Sequence, residues 1–194
     1  VVGTTSGSIV QSLSGAQFKP VIAPKRGLIA ASGRYLIDAP FGDYHGVEII
    51  TPRADLEFVR ALLQEHNFAE VDLDSYEALR ITAGIPRLGA EITEKLIGAD
   101  LPLERTVAFR KGCYAGQEVI EMATARGRPN RRLITLAAAA PLAVGDEVYL
   151  EEGGERRSVG VVTSALFLPQ RSEARALAFV KYATPDAARL VVGD

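Results

Sequence analysis

Short apolar runs broken by glycine and polar residues open the chain, and longer amphipathic stretches follow them. Leu28-Ile29-Ala30-Ala31 and Arg34-Tyr35-Leu36-Ile37, joined through Ser32-Gly33, predict a hairpin. Gly46-Val47-Glu48-Ile49-Ile50 predicts a further strand with Val47 and Ile49 on one face. The period then changes. Leu56, Val59, Leu62 and Leu63 recur at helical spacing, and Thr51-Pro52 supplies a cap and first-turn pair for a helix running to the region of His66. A second helix is expected from Asp74, with Asp74 and Glu77 as a capping box, to a stop at Ala83-Gly84-Ile85-Pro86. Arg80 falls in its last turns, toward the negative end of the helix dipole.

Residues 87 to 109 lose this regularity at Gly89, Gly98 and Pro102 and read as a connecting segment with one helical turn at most. Gln117 to Ala125 predicts a short helix ended by Gly127 and Pro129. Beyond Asn130 the pattern becomes strand-like: Leu133–Leu136, Glu147–Leu150, Ser158–Val162 and Ala176–Val180 are short apolar runs, with turns at Gly145-Asp146 and Gly153-Gly154. The spacing predicts a small antiparallel barrel or sandwich. The organisation expected is thus an α+β body over 1–109, a loop and short helix over 110–130, and a C-terminal β-barrel over 131–194.

Composition narrows the class without naming it. With 194 residues the chain can bury a sizeable core. A formal charge of −2 gives no bulk attraction to nucleic acid or membrane. No apolar run approaches the ~20 residues of a membrane span, and the N-terminus lacks a charged segment ahead of an apolar core, so a location in the cytoplasm or an organelle matrix is expected, with cytoplasm preferred. A single cysteine forms no intrachain disulfide, in keeping with a reducing compartment. The chain does not start with Met, from which a processed or truncated sequence is expected.

Candidate chemistry concentrates in Lys111-Gly112-Cys113-Tyr114-Ala115-Gly116-Gln117-Glu118. Cys113 follows Arg110 and Lys111 and precedes the expected helix, and both cations and helix N-termini favour thiolate. Two readings stay open: a reactive or ligating thiol, or a small buried hydrophobe. From Arg110 to Arg132 six cations face two carboxylates, a local net of +4, which leaves −6 for the remainder. That strip suits an anionic tail or a nucleic-acid backbone, and equally a solvated linker face; without interleaved aromatics, sequence-specific RNA reading has little support. One Cys and the separated His45 and His66 do not make a four-ligand metal site, so no metal is expected. No Ser-His-Asp set or nucleotide-binding glycine fingerprint is present.

The octapeptide, preceded by Ala78-Leu79-Arg80-Ile81-x-Ala83-Gly84-Ile85-Pro86 and followed by Arg126-Gly127-x-x-Asn130-Arg131-Arg132, resembles the paired signature of the YgfZ-type folate-binding proteins. These are relatives of the aminomethyltransferase, or T-protein, of glycine cleavage. The resemblance implies a T-protein-like, tetrahydrofolate-binding α+β body lacking its N-terminal part, followed by the C-terminal barrel. It implies a role in assembling or repairing iron–sulfur clusters of client proteins, including enzymes that modify tRNA, without a required reaction of its own. Cys113 would be the functional thiol, with Lys111 beside it and Tyr114, Gly116, Gln117 and Glu118 as the supporting loop on the cofactor. Glu48 stands where relatives have a glutamate that pairs with the pterin, and Arg80 suits the glutamate tail of folate. Leu88 stands where some T-proteins have an aromatic residue. The alternatives are a one-carbon or aminomethyl transferase, and a weak RNA contact through Arg126 to Arg132.

Overall fold

The computed structural model describes residues 19–21, 28–31, 34–38, 41, 46–96, 100–101, 112–125, 129–186 and 188–193. Its contacts divide the chain into two units, Val1–Tyr76 and Glu77–Asp194. The dividing point lies inside a helix, well ahead of the changes of texture at 109 and 130 read from the sequence.

Among its described residues the first unit holds four strands, β1 (Lys19–Val21), β2 (Leu28–Ala31), β3 (Arg34–Asp38) and β4 (Val47–Ile50), in an antiparallel sheet of order β1-β2-β3-β4. The expected hairpin is β2 and β3, with Leu28 opposite Ile37 and Ala31 opposite Arg34; its turn lies outside the described residues. In β4, Val47 is buried while Glu48 and Ile50 are exposed, the alternation expected of a half-buried strand.

Helix α1 (Leu56–Glu65) begins later than Thr51-Pro52 predicts. Pro52 keeps an extended ψ of 143°, and residues Arg53–Asp55 wind as a 3-10 turn before the α-helix starts. Thr51 therefore does not cap α1; its hydroxyl is buried without a hydrogen-bond partner among the described residues. Val59 is the buried member of the apolar stripe, and His66 is the C-cap residue, its N–H donating to Leu62.

Helix α2 (Leu73–Thr82) is capped by Asp72 rather than Asp74: the Asp72 carboxylate accepts from the Ser75 N–H at 2.8 Å. Its end follows the sequence. Gly84 has φ +67°, the Gly84 N–H donates to Ile81 and the Ile85 N–H to Arg80, which is a Schellman stop ahead of Pro86.

Among its described residues the second unit is built on five antiparallel strands: β5 (Arg131–Ala138), β6 (Glu147–Glu152), β7 (Glu155–Leu168), β8 (Glu173–Lys181) and β9 (Leu190–Val192). Gly153 and Gly154, both at positive φ, turn β6 into β7 as a two-residue hairpin. The order β5-β8-β7-β6-β9 leaves β5 and β9 at opposite edges. The expected closed barrel is therefore an open sheet among the described residues, because no ladder joins β9 back to β5. Val148, Leu150, Val159, Val162, Ala176, Ala178 and Val180 form its core, and Ile134, Leu136, Ala188 and Leu190 pack against them. Gly160 is required where β7 meets β8. A methyl group there would collide with the Phe179 carbonyl oxygen and the Val180 side chain.

Candidate functional site

The motif loop leads into helix α3 (Gln117–Ala125), whose bounds match the helix predicted from the sequence. Gly116, at φ +84°, stands at the N-cap position, and its carbonyl accepts the Ile120 N–H at 3.4 Å. Cys113 is exposed, so it is not the small buried hydrophobe that residue type alone allowed. The Tyr114 carbonyl accepts the Gln117 N–H, and the Gln117 amide donates to Glu121 at 2.5 Å, which orients the first turn. Glu118 is exposed, as are Val119 and Met122 farther along α3. A thiol open to solvent four residues ahead of a helix can exchange with a disulfide, be oxidised, or lend one ligand to a metal held by another protein. Arg110, Lys111, Arg126, Gly127, Arg128 and His45 lie outside the described residues. Among the described residues, no group of three or more His, Cys, Asp or Glu side chains is placed to hold a metal.

Arg80 is placed quite differently. Its side chain is 1% exposed. Nε donates to Glu77 Oε2 at 3.1 Å, Nη1 to the Ile85 carbonyl at 2.9 Å and Glu91 Oε2 at 3.3 Å, and Nη2 to Glu77 Oε2 at 2.6 Å and Ser164 Oγ at 2.9 Å. A guanidinium has five N–H donors, and here each has a protein acceptor. A folate carboxylate would reach this guanidinium only by replacing one of them.

Glu91 is the partner that sequence reasoning missed. It too is 1% exposed. Oε2 accepts from Arg80 and from the Arg87 N–H at 3.0 Å, and Oε1 accepts from Thr163 Oγ1 at 2.7 Å and Ser164 Oγ at 2.6 Å. Neighbouring strand residues ordinarily face opposite sides. The register of β7 against β8 shifts between Val162 and Ser164, so Thr163 is the extra residue of a bulge, which lets both hydroxyls turn to one carboxylate. Burial is the largest single influence on the Glu91 carboxyl and works against its ionised form. Together the Ser164 bond, the Arg87 N–H, the Thr163 bond and the Arg80 charge outweigh it, and the carboxyl titrates below its ordinary value. The one signal in the sequence was an acidic residue set between Ala90 and Ile92 just past Gly89.

Glu48 is an exposed carboxylate on β4, opposite Ile37, in the first unit. Leu88 is 81% exposed. Of the arginines assigned to the basic strip, the two that are described, Arg131 and Arg132, carry internal partners. Arg131 pairs with buried Asp100 at 2.8 Å and lies over the Phe179 ring, and Arg132 pairs with Asp186 at 2.6 Å and donates to the Thr184 carbonyl. No helix among the described residues is long and apolar enough to cross a membrane.

No family model matches the chain. Two curated relatives are named tRNA-modifying protein YgfZ: that of Sodalis glossinidius is 36% identical over 105 residues, 52% of this chain and 32% of the relative. That of Klebsiella pneumoniae is 35% identical over 95 residues, 47% of this chain and 29% of the relative. The alignments thus span about a third of these relatives' length. Among solved structures, the glycine cleavage system aminomethyltransferase T from Bartonella henselae superposes with a TM-score of 0.65 at 19% identity, over 98% of this chain and 62% of that one. The chain is a relative of the YgfZ-type proteins with an aminomethyltransferase-like fold, as the octapeptide and the Arg80 helix motif imply.

Proposed function

We propose that the chain is part of a tetrahydrofolate-binding accessory factor that supports iron–sulfur enzymes, among them enzymes that modify tRNA, and that Cys113 is its working thiol. The observation that carries this reading is the solvent exposure of Cys113 within a loop that resembles the YgfZ octapeptide. An exposed thiol ahead of a helix is free to meet a client protein, whereas a structural cysteine would be packed away. Cys113, with Lys111 beside it, acts on the client. Tyr114, Gly116, Gln117 and Glu118 shape the loop that presents it to the cofactor.

Folate recognition falls to Glu48, whose carboxylate accepts two N–H bonds from an aminopterin edge. Arg80 enters as a positioning residue: tied to Glu77, Glu91 and Ser164, it holds the end of α2 against the bulge of β7. Calorimetric titration of the intact protein with tetrahydrofolate tests this half of the reading. Saturable binding that weakens about tenfold or more in Glu48→Gln is expected, given the worth of a charge-assisted pair of hydrogen bonds. Equal affinity in the variant removes Glu48 from the pocket.

A second reading, a folate-dependent aminomethyltransferase, draws on the aminomethyltransferase-like fold. It gives the thiol no part and requires turnover with an aminomethyl donor on a lipoyl carrier.

A further inference from the structure

We propose that the cleft beside the outer edge of β5 is a binding site for a small carboxylate with an apolar body. The cleft encloses about 650 Å³, within the ~300–1,000 Å³ usual for small-molecule sites. Ile134 and Leu136 line it from β5, and Ala188 and Leu190 from the segment entering β9. Ala83 and Gly84 close one side, where a methyl group on Gly84 would come within 3.6 Å of Thr135. Among the described residues the outer edge of β5 has no partner strand, so the described sheet does not fill this space.

Two polar groups meet at one end of the cleft. Arg132 Nη1 forms an ion pair with Asp186 Oδ1 at 2.6 Å, and Nη2 donates to the Thr184 carbonyl at 2.8 Å. A guanidinium carries five donors, so among the described residues Nε–H and at least one hydrogen on each terminal nitrogen have no acceptor. Beside it, Thr184 is 5% exposed and its buried hydroxyl has no hydrogen-bond partner among the described residues. A buried hydroxyl left unsatisfied is costly, and native structures usually supply it with a partner.

A carboxylate satisfies both groups. Its two oxygens match the fork of Nε–H and Nη2–H, and one of them accepts from the Thr184 hydroxyl. The apolar body then lies over Ile134, Leu136 and Leu190. Asp186 is the competitor that such a ligand meets. Its side chain is 89% exposed, and exposed ion pairs hold weakly. A single cation beside an aspartate also argues against a dianionic phosphate ester.

The test follows the amide spectrum of the intact protein on addition of octanoate, with octanamide as the uncharged control. Saturable shifts at Arg132, Thr184 and Leu136 are expected, with octanamide about tenfold weaker. Thr184→Val removes only the hydroxyl and weakens octanoate binding several-fold; Asp186→Asn removes the competitor and tightens it several-fold. Neither change touches the core of the sheet. Absence of saturable shifts at millimolar octanoate, equal affinity for the amide, or no tightening in Asp186→Asn overturns the proposal.

Discussion

Arg80 and Glu91 form a buried ion pair, Nη1 to Oε2 at 3.3 Å, in which each group also holds hydrogen bonds from elsewhere in the second unit. The pair ties the end of α2 to the bulge of β7 through Ser164, which accepts from Arg80 and donates to Glu91. Desolvating two charges costs several kcal/mol each, roughly what such a fully satisfied pair returns. The network therefore adds little net stability while fixing one arrangement of helix end and sheet, and damage to one member is severe.

Glu91→Ala is expected to destabilise the second unit by about 1–3 kcal/mol: Arg80 keeps Glu77, but Arg80 Nη1, the Arg87 N–H and the Thr163 and Ser164 hydroxyls lose their buried acceptor. Denaturant unfolding measures this. A cost under ~1 kcal/mol would show that Arg80 Nη1 and the freed hydroxyls find water or another acceptor.

The same carboxylate sets a pH dependence. The folded Glu91 titrates below its ordinary value, so at pH just under that value, about 4.3, the unfolded chain binds more protons than the folded one. The stabilisation is present in full above that pH and is lost as pH falls through the folded value. Asp72, lowered chiefly by its side-chain bond with Ser75, acts in the same direction in the first unit. Glu91→Gln should flatten the fall of the denaturation midpoint below about pH 4.3. An unchanged slope would transfer the effect to other carboxylates.

Gly160→Ala is expected to cost about 1–3 kcal/mol, since the added methyl meets the Phe179 carbonyl and Val180 across the β7–β8 ladder. Gly112→Ala, beside the cysteine, meets open space and should change stability by less than ~0.5 kcal/mol. Thermal melts of the two variants make the comparison, and equal melting temperatures would contradict the close approach at Gly160.

Local rules were readable where one or two residues enforce them. Gly84 and Pro86 stop α2, Gly116 opens α3, and Gly153-Gly154 turns β6 into β7. The helix starts were harder. Asp72 and Asp74 are both cap residues by type, and only the Ser75 N–H, which points at Asp72, decides between them. Long-range placement was not readable at all. The bulge at Thr163 adds a residue that apolar alternation does not mark, and with it the convergence of Thr163 and Ser164 on Glu91. Likewise Arg131 and Arg132 look like free surface charge in sequence, because Asp100 and Asp186 lie far along the chain. Cys113 was ambiguous by residue type, and its exposure separates the two readings.

The most direct test of the functional account is Cys113→Ser in cells whose own copy of the intact protein is removed, with the activity of a cluster-dependent tRNA-modifying enzyme as readout. The account predicts activity near that of cells lacking the protein, while the purified variant keeps its melting temperature and its affinity for tetrahydrofolate. Full activity from Cys113→Ser would contradict it, and would leave the exposed thiol without a part in the protein's work.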